Sequence, residues 1–137
     1  MSTIGGLNTA VSGMRAAQTT LRASADNVAN ARSVAAPSVD GPAQDDAGRN
    51  LFRPSRTTLE AQSSGVRATV SPVDPPSVQR FAPDATDAND KGFVNRPNVS
   101  LAGETVTQVE ARAQFSANLA TVETADEMTE RLLDISE

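Results

Sequence analysis

Residues 3–32, TIGGLNTAVSGMRAAQTTLRASADNVANAR, contain no proline and set apolar residues three and four apart: Ile4, Leu7, Val11 and Met14, then Gln18, Leu21, Ala25 and Val28. Alternating steps of three and four keep returning to one side of a helix, so the stretch predicts a helix with a heptad-like seam. It should start between Thr3 and Asn8, because Gly5 and Gly6 weaken the opening turn, and fade between Asn30 and Ser33. A seam of this kind hides its apolar side only against a partner helix.

The other end of the chain supplies a candidate partner. Residues 99–137 also lack proline, since all eight prolines lie between Pro37 and Pro97. Val106, Val109, Phe115, Leu119, Val122, Met128, Leu132 and Ile135 recur there at helical spacing. Pro97 precedes this helix, Asn98 or Ser100 is its candidate cap, and the pattern runs to about Leu133. The net charge of −5 hides a split between the two ends. Residues 1–32 carry Arg15, Arg22 and Arg32 against Asp26, a net of +2; residues 99–137 carry eight acids against Arg112 and Arg131, a net of −6. Glu123 and Glu127, and likewise Asp126 and Glu130, stand four apart and repel by a few tenths of a kcal/mol per pair, roughly, in an isolated helix. A basic neighbour would relieve them, although a solvated acidic face explains the same charges.

Between the helices the periodicity changes. Ser33 to Gly48 is rich in turn formers and lacks any repeat, which predicts a loop. From Arg53 to Gln62 and from Gly65 to Val73 polar and apolar residues alternate around Ser63-Ser64-Gly65, the pattern of a hairpin, followed by a short strand near Ser77–Phe81. The expected fold is mainly α: long N- and C-terminal helices, residues 1–32 and 99–137, pair as a coiled-coil-like hairpin. A loop and a small β-rich insertion fill residues 33–98.

Composition removes most chemistry. No histidine or cysteine is present, which excludes Ser-His and Cys-His nucleophilic pairs, imidazole or thiolate zinc sites and disulfides. Asp84, Asp87 and Asp90 recur every third residue, whereas a calcium loop of the EF-hand kind needs oxygens at alternate positions and a distal glutamate. Lys91, the only lysine, sits in a polar loop, and no serine lies in an elbow motif that would make a Ser-Lys pair. Asn98-Val99-Ser100 fits a glycosylation sequon and equally fits a helix cap. An acidic chain with four phenylalanines as its only aromatics does not look like a nucleic-acid binder. No apolar run approaches the roughly 20 residues that span a bilayer, and Met1–Gly6 has neither the basic nor the apolar part of a secretory signal. The expectation is no catalytic centre, no cofactor, no metal and no small-molecule substrate.

Two such helices bury only one side of each stripe, so the pair should be marginal alone and gain from further neighbours. Ala10, Ala16, Ala17, Ala23 and Ala29, with Ala111, Ala113, Ala117 and Ala120, permit close helix approach on other faces, though helix propensity alone accounts for alanines.

Ser12-Gly13-Met14, Ala16, Leu21 and Asp26-Asn27-Val28-Ala29-Asn30 resemble the amino-terminal signature of bacterial flagellar rod and hook proteins, usually Ser-Gly-Leu, Leu and Asn-Asn-Ile-Ala-Asn at this spacing. Gly65-Val66, Asp74-Pro75-Pro76, Phe81-Ala82-Pro83, Asp87-Ala88-Asn89, Gly92-Phe93-Val94 and Pro97-Asn98-Val99 follow one another as in the short proximal-rod members of that family. Val106, Val109, Ala111, Phe115, Ala117-Asn118 and Met128 continue the pattern. Two departures are visible. Ala31-Arg32-Ser33-Val34 replaces a Thr-Pro-Gly-Tyr or polar continuation, and Arg112 stands three residues before Phe115 where the family often places an arginine two before.

The resemblance implies a structural subunit exported through the flagellar type III apparatus and polymerised as a helical tube in the periplasmic basal body, where it transmits motor torque. The implied partners are copies of itself, other flagellar rod proteins and the membrane-ring and export-gate base, with no nucleic acid and no membrane insertion. The expected assembly surface is Ile4, Leu7, Val11, Met14, Leu21, Val28, Val106, Val109, Phe115, Leu119, Val122, Met128, Leu132 and Ile135, joined by Asn27 and Asn30, which are placed to bond around the helix end or across subunits. The competing expectation is a soluble helical adaptor or secretion chaperone that binds a hetero-partner through the same seam.

Overall fold

A computed structural model describes residues 3–37 and 50–135, with side chains over residues 5–37 and 50–131. In chain order it contains helix α1 (Thr3–Asn30), strands β1 (Ser55–Gln62), β2 (Gly65–Pro72), β3 (Ser77–Phe81) and β4 (Phe93–Pro97), and helix α2 (Leu101–Ile135). The strands form two two-stranded sheets, β1 with β2 and β3 with β4. The mainly α expectation is therefore corrected: two eight-residue and two five-residue strands make β-structure a substantial second component between the helices. The element missed was β4. It holds Asn95 and ends in Pro97, residues that carry little strand signal, and its partner β3 lies across a turn-rich connection.

The helix ends follow from local chemistry. At the start of α2 the Ser100 hydroxyl accepts the Gly103 N–H at 3.2 Å, so of the two candidate caps Ser100 serves, and Glu104 places a carboxylate in the first turn, where the helix dipole favours it. The Asn98 amide instead donates to the Pro75 carbonyl at 3.0 Å. At the end of α1 the chain turns through Ser33, whose N–H and hydroxyl both donate to the Asn30 carbonyl. Ala35 then exchanges both backbone hydrogen bonds with Asn95 of β4, at 3.1 and 2.8 Å. Helix-interior threonines 9, 19, 20, 121, 124 and 129 each return their hydroxyl to the carbonyl four residues back.

The expected hairpin is present: β1 and β2 are joined by Ser63-Ser64, a two-residue connection that only antiparallel strands permit. The β3–β4 pair is antiparallel, with Val78 opposite Arg96 and Arg80 opposite Val94. Most of the expected loop Ser33–Gly48 lies outside the described residues.

Two compact units divide the chain: residues 1–22, 57–70 and 105–137 form the first, and residues 23–56 and 71–104 the second. Their interiors are made of small side chains. Among the described residues the buried apolar ones are Ala10, Ala16, Ala17 and Ala111 in the first unit, and Ala23, Ala35, Pro54, Val94 and Pro97 in the second.

Candidate assembly surface

On α1 the buried or half-buried positions Ala10, Gly13, Ala17, Thr20, Ser24 and Asn27 repeat at steps of three and four, a second heptad-like stripe built from small residues. At about 100° per residue its centre lies roughly a quarter of a turn from the seam that runs through Leu7, Met14, Leu21 and Val28. Within the first unit, Gly13 sits so close to α2 that an added Cβ would lie 2.6 Å from the Asn118 Nδ2. Ser12 next to it donates its hydroxyl to the Thr9 carbonyl and accepts the Val66 N–H at 3.0 Å, tying α1 to the start of β2. Gly65 is the residue that makes room: its φ of +135° suits glycine, and a Cβ there would run into the Ser12 side chain.

Within the second unit, Asn27 is 2% exposed and saturates its amide. Its Nδ2 donates to the Ser55 carbonyl and to the Glu104 Oε1, both at 2.7 Å, while its Oδ1 accepts the Ser55 N–H at 3.0 Å. Ser24 adds a hydroxyl bond to the Glu104 carbonyl at 3.2 Å. Thus Asn27 bonds not around the helix end but to strand β1 and helix α2. Asn30 stays local, donating to the Asp26 carbonyl at 2.8 Å.

Most of the large apolar residues expected at an assembly interface lie off these packing contacts. Leu7, Val11, Met14 and Leu21 are half-buried and Val28 is exposed. On α2, Phe115 and Val122 are half-buried on the face that carries Glu104, Ala111 and Asn118. Val106 is 56% exposed, Val109 61% and Met128 57%, and Leu119 is also exposed. The side chains of Ile4, Leu132 and Ile135 lie outside the described residues. Of the alanines read as points of close approach, Ala10, Ala16, Ala17, Ala23 and Ala111 are buried and Ala29, Ala113, Ala117 and Ala120 are exposed. Sequence reasoning passed over Ser12, Gly13, Gly65, Glu104 and Asn118 as contact residues, although the spacing of small residues on α1 was a readable signal.

Among the described residues no group of three or more acidic, histidine or cysteine side chains is arranged to hold a metal ion. No described helix is long and apolar enough to cross a membrane. Among the described residues, the helices present faces on which several larger apolar side chains remain exposed.

A family model for the C-terminal part of the flagellar basal body rod proteins FlgE, FlgF and FlgG matches residues 90–135, which include β4 and α2. Over its whole length the chain is 30% identical, across 145 aligned positions covering all of both proteins, to the flagellar basal-body rod protein FlgC of Yersinia enterocolitica.

Proposed function

The chain belongs to the flagellar basal-body rod protein family, a structural component of the bacterial flagellum. From that premise we propose that it polymerises through its two terminal helices into a helical tube of the proximal rod that carries motor torque outward. The partners in this reading are further copies of the chain, other rod proteins and the membrane-ring and export-gate base, reached by type III export.

One observation carries the proposal. Large apolar side chains on both helices stay exposed or half-exposed while the chain packs its own elements through alanine, glycine, serine and asparagine. Exposed apolar surface on a small protein marks an interaction face, and helical presentation suits other helices. The adaptor reading would use the same seam, but family membership supports the rod.

The test is Leu21→Asp, which puts a charge at the centre of the seam. Cells carrying it should lose motility and rod assembly while the exported subunit remains detectable outside the cytoplasm. Normal swimming would reject the role given to the seam.

A further inference from the structure

The β3–β4 register concentrates positive charge on one face. Directly opposed residues share a face, so Val78, Arg80, Val94 and Arg96 point to the same side, with the two arginines on the diagonal. Arg80, Arg96 and Arg32, just beyond α1, line a cavity of about 310 Å³ in the second unit, together with Asn98 and Leu101 at the start of α2. No acidic side chain is among its described lining residues. The Arg96 Nε is buried and makes no hydrogen bond. A desolvated guanidinium N–H without an acceptor is unfavourable, and three like charges beside the positive end of a helix add to the strain. A cavity of about 300 Å³ beside Arg15 and Arg67 in the first unit has no such nitrogen among the described residues.

An anion would satisfy this nitrogen and offset the three charges, and a carboxylate matches the planar arginine fork in a bidentate manner. Val78, Val99 and Leu101 in the lining favour a carboxylate on a carbon stem over a bare ion. The same chain carries such groups. Glu123, Asp126, Glu127 and Glu130 are exposed and, at relative positions 0, 3, 4 and 7, share one face of α2, where they repel one another. We propose that the Arg32–Arg80–Arg96 cavity docks the acidic face Glu123–Glu130 of α2 from a second copy of this chain. The contact rests on the assembly reading above and gives it a charge register: each copy offers one basic cavity and one acidic face, so head-to-tail contacts can continue without closing.

The absence of cysteine from the chain allows a clean test. Arg80→Cys and Glu127→Cys change exposed positions and are made in separate full-length chains. Mixed at a concentration where the unmodified chain sediments as oligomers and then oxidised, they should give a disulfide-linked heterodimer in clear excess over either homodimer. Arg32→Glu with Arg80→Glu should weaken self-assembly at least tenfold, and mixing with a Glu123→Arg, Glu127→Arg chain should restore it. Oligomers without the cross-link, or no rescue by the reversed charges, would overturn the docking while leaving assembly intact. A chain holding both cysteines that closes on itself in dilute solution, with no cross-link between chains, would also overturn it. So would arginine variants that assemble normally but lose binding of inorganic phosphate or phosphatidylglycerol vesicles, which would assign the cavity to a free or lipid anion. A chain that stays monomeric under all conditions would remove the assembly reading, and this contact with it.

Discussion

Asn27 meets both a backbone amide and a carboxylate, and each contact demands a different end of its side chain. Asn27→Asp keeps the acceptor for the Ser55 N–H but loses the donor, setting a buried carboxylate against Glu104 and the Ser55 carbonyl. The variant should lose about 3 kcal/mol of stability at pH 7. The introduced carboxylate, buried beside a like charge, keeps its proton to a higher pH in the fold than in the unfolded chain, so the deficit is full above its folded pKa and shrinks as pH falls toward roughly 4. Urea midpoints of variant and parent at both pH values check this; a gap independent of pH would mean that charge is not its cause. Gly65→Ala is expected to cost about 2 kcal/mol through the positive φ and the lost Ser12–Val66 bond. Faster hydrogen exchange at the Val66 amide is its local signature. Both residues were visible in the sequence as parts of short motifs, but their partners were not. Asn27 bonds Ser55, 28 positions on, and Glu104, 77 positions on, and separations of that size leave no trace in local spacing.

Helix α1 carries two kinds of residue on two faces. Large residues mark the seam that periodicity reveals, whereas Gly13, Ser24 and Asn27, which meet α2 in their respective units, sit on the stripe of small residues beside it. Ala17, fully buried on that stripe, and Leu21, half-buried on the seam, should therefore respond in opposite ways. Ala17→Leu overpacks the interior and is expected to lower the stability of the chain by about 1–3 kcal/mol. Leu21→Ala should change that stability by less than about 1 kcal/mol but reduce self-association roughly tenfold, because the lost burial lies at the partner's surface. Denaturation and sedimentation of the two variants, compared side by side, separate the faces; equal loss of stability in both would merge them. The same distinction explains what was legible. The limits of α1 and the span of β3 were close to their sequence expectations, since proline placement and alternation report them directly. The packing stripe was harder to see because alanine, glycine and serine register as helix propensity or its absence, not as contact. Strand β4 was harder still, its pairing fixed by β3 and by Ala35 and not by its own composition.

At the scale of the molecule the interior is thin. Among the described residues the largest fully buried side chains are Val94, Pro54 and Ser24, while Val28, Val106, Val109, Leu119 and Met128 on the helices are exposed. Small side chains contribute little apolar area each, and a chain of 137 residues has limited surface to bury, so much of its order should depend on neighbours. Dilute purified protein should then show weak, loosely packed helicity that rises with concentration in step with oligomer formation. Circular dichroism read alongside sedimentation equilibrium follows both. Sodium chloride at about 0.5 M, where the Debye length falls to about 4 Å, distinguishes the contributions. If apolar seams alone hold the assembly, the midpoint concentration should stay put or fall; if basic cavities meet acidic faces as well, it should rise several-fold without assembly being abolished. A cooperatively folded monomer whose helicity ignores concentration would contradict the dependence on neighbours, because a thin interior would then have proved sufficient alone.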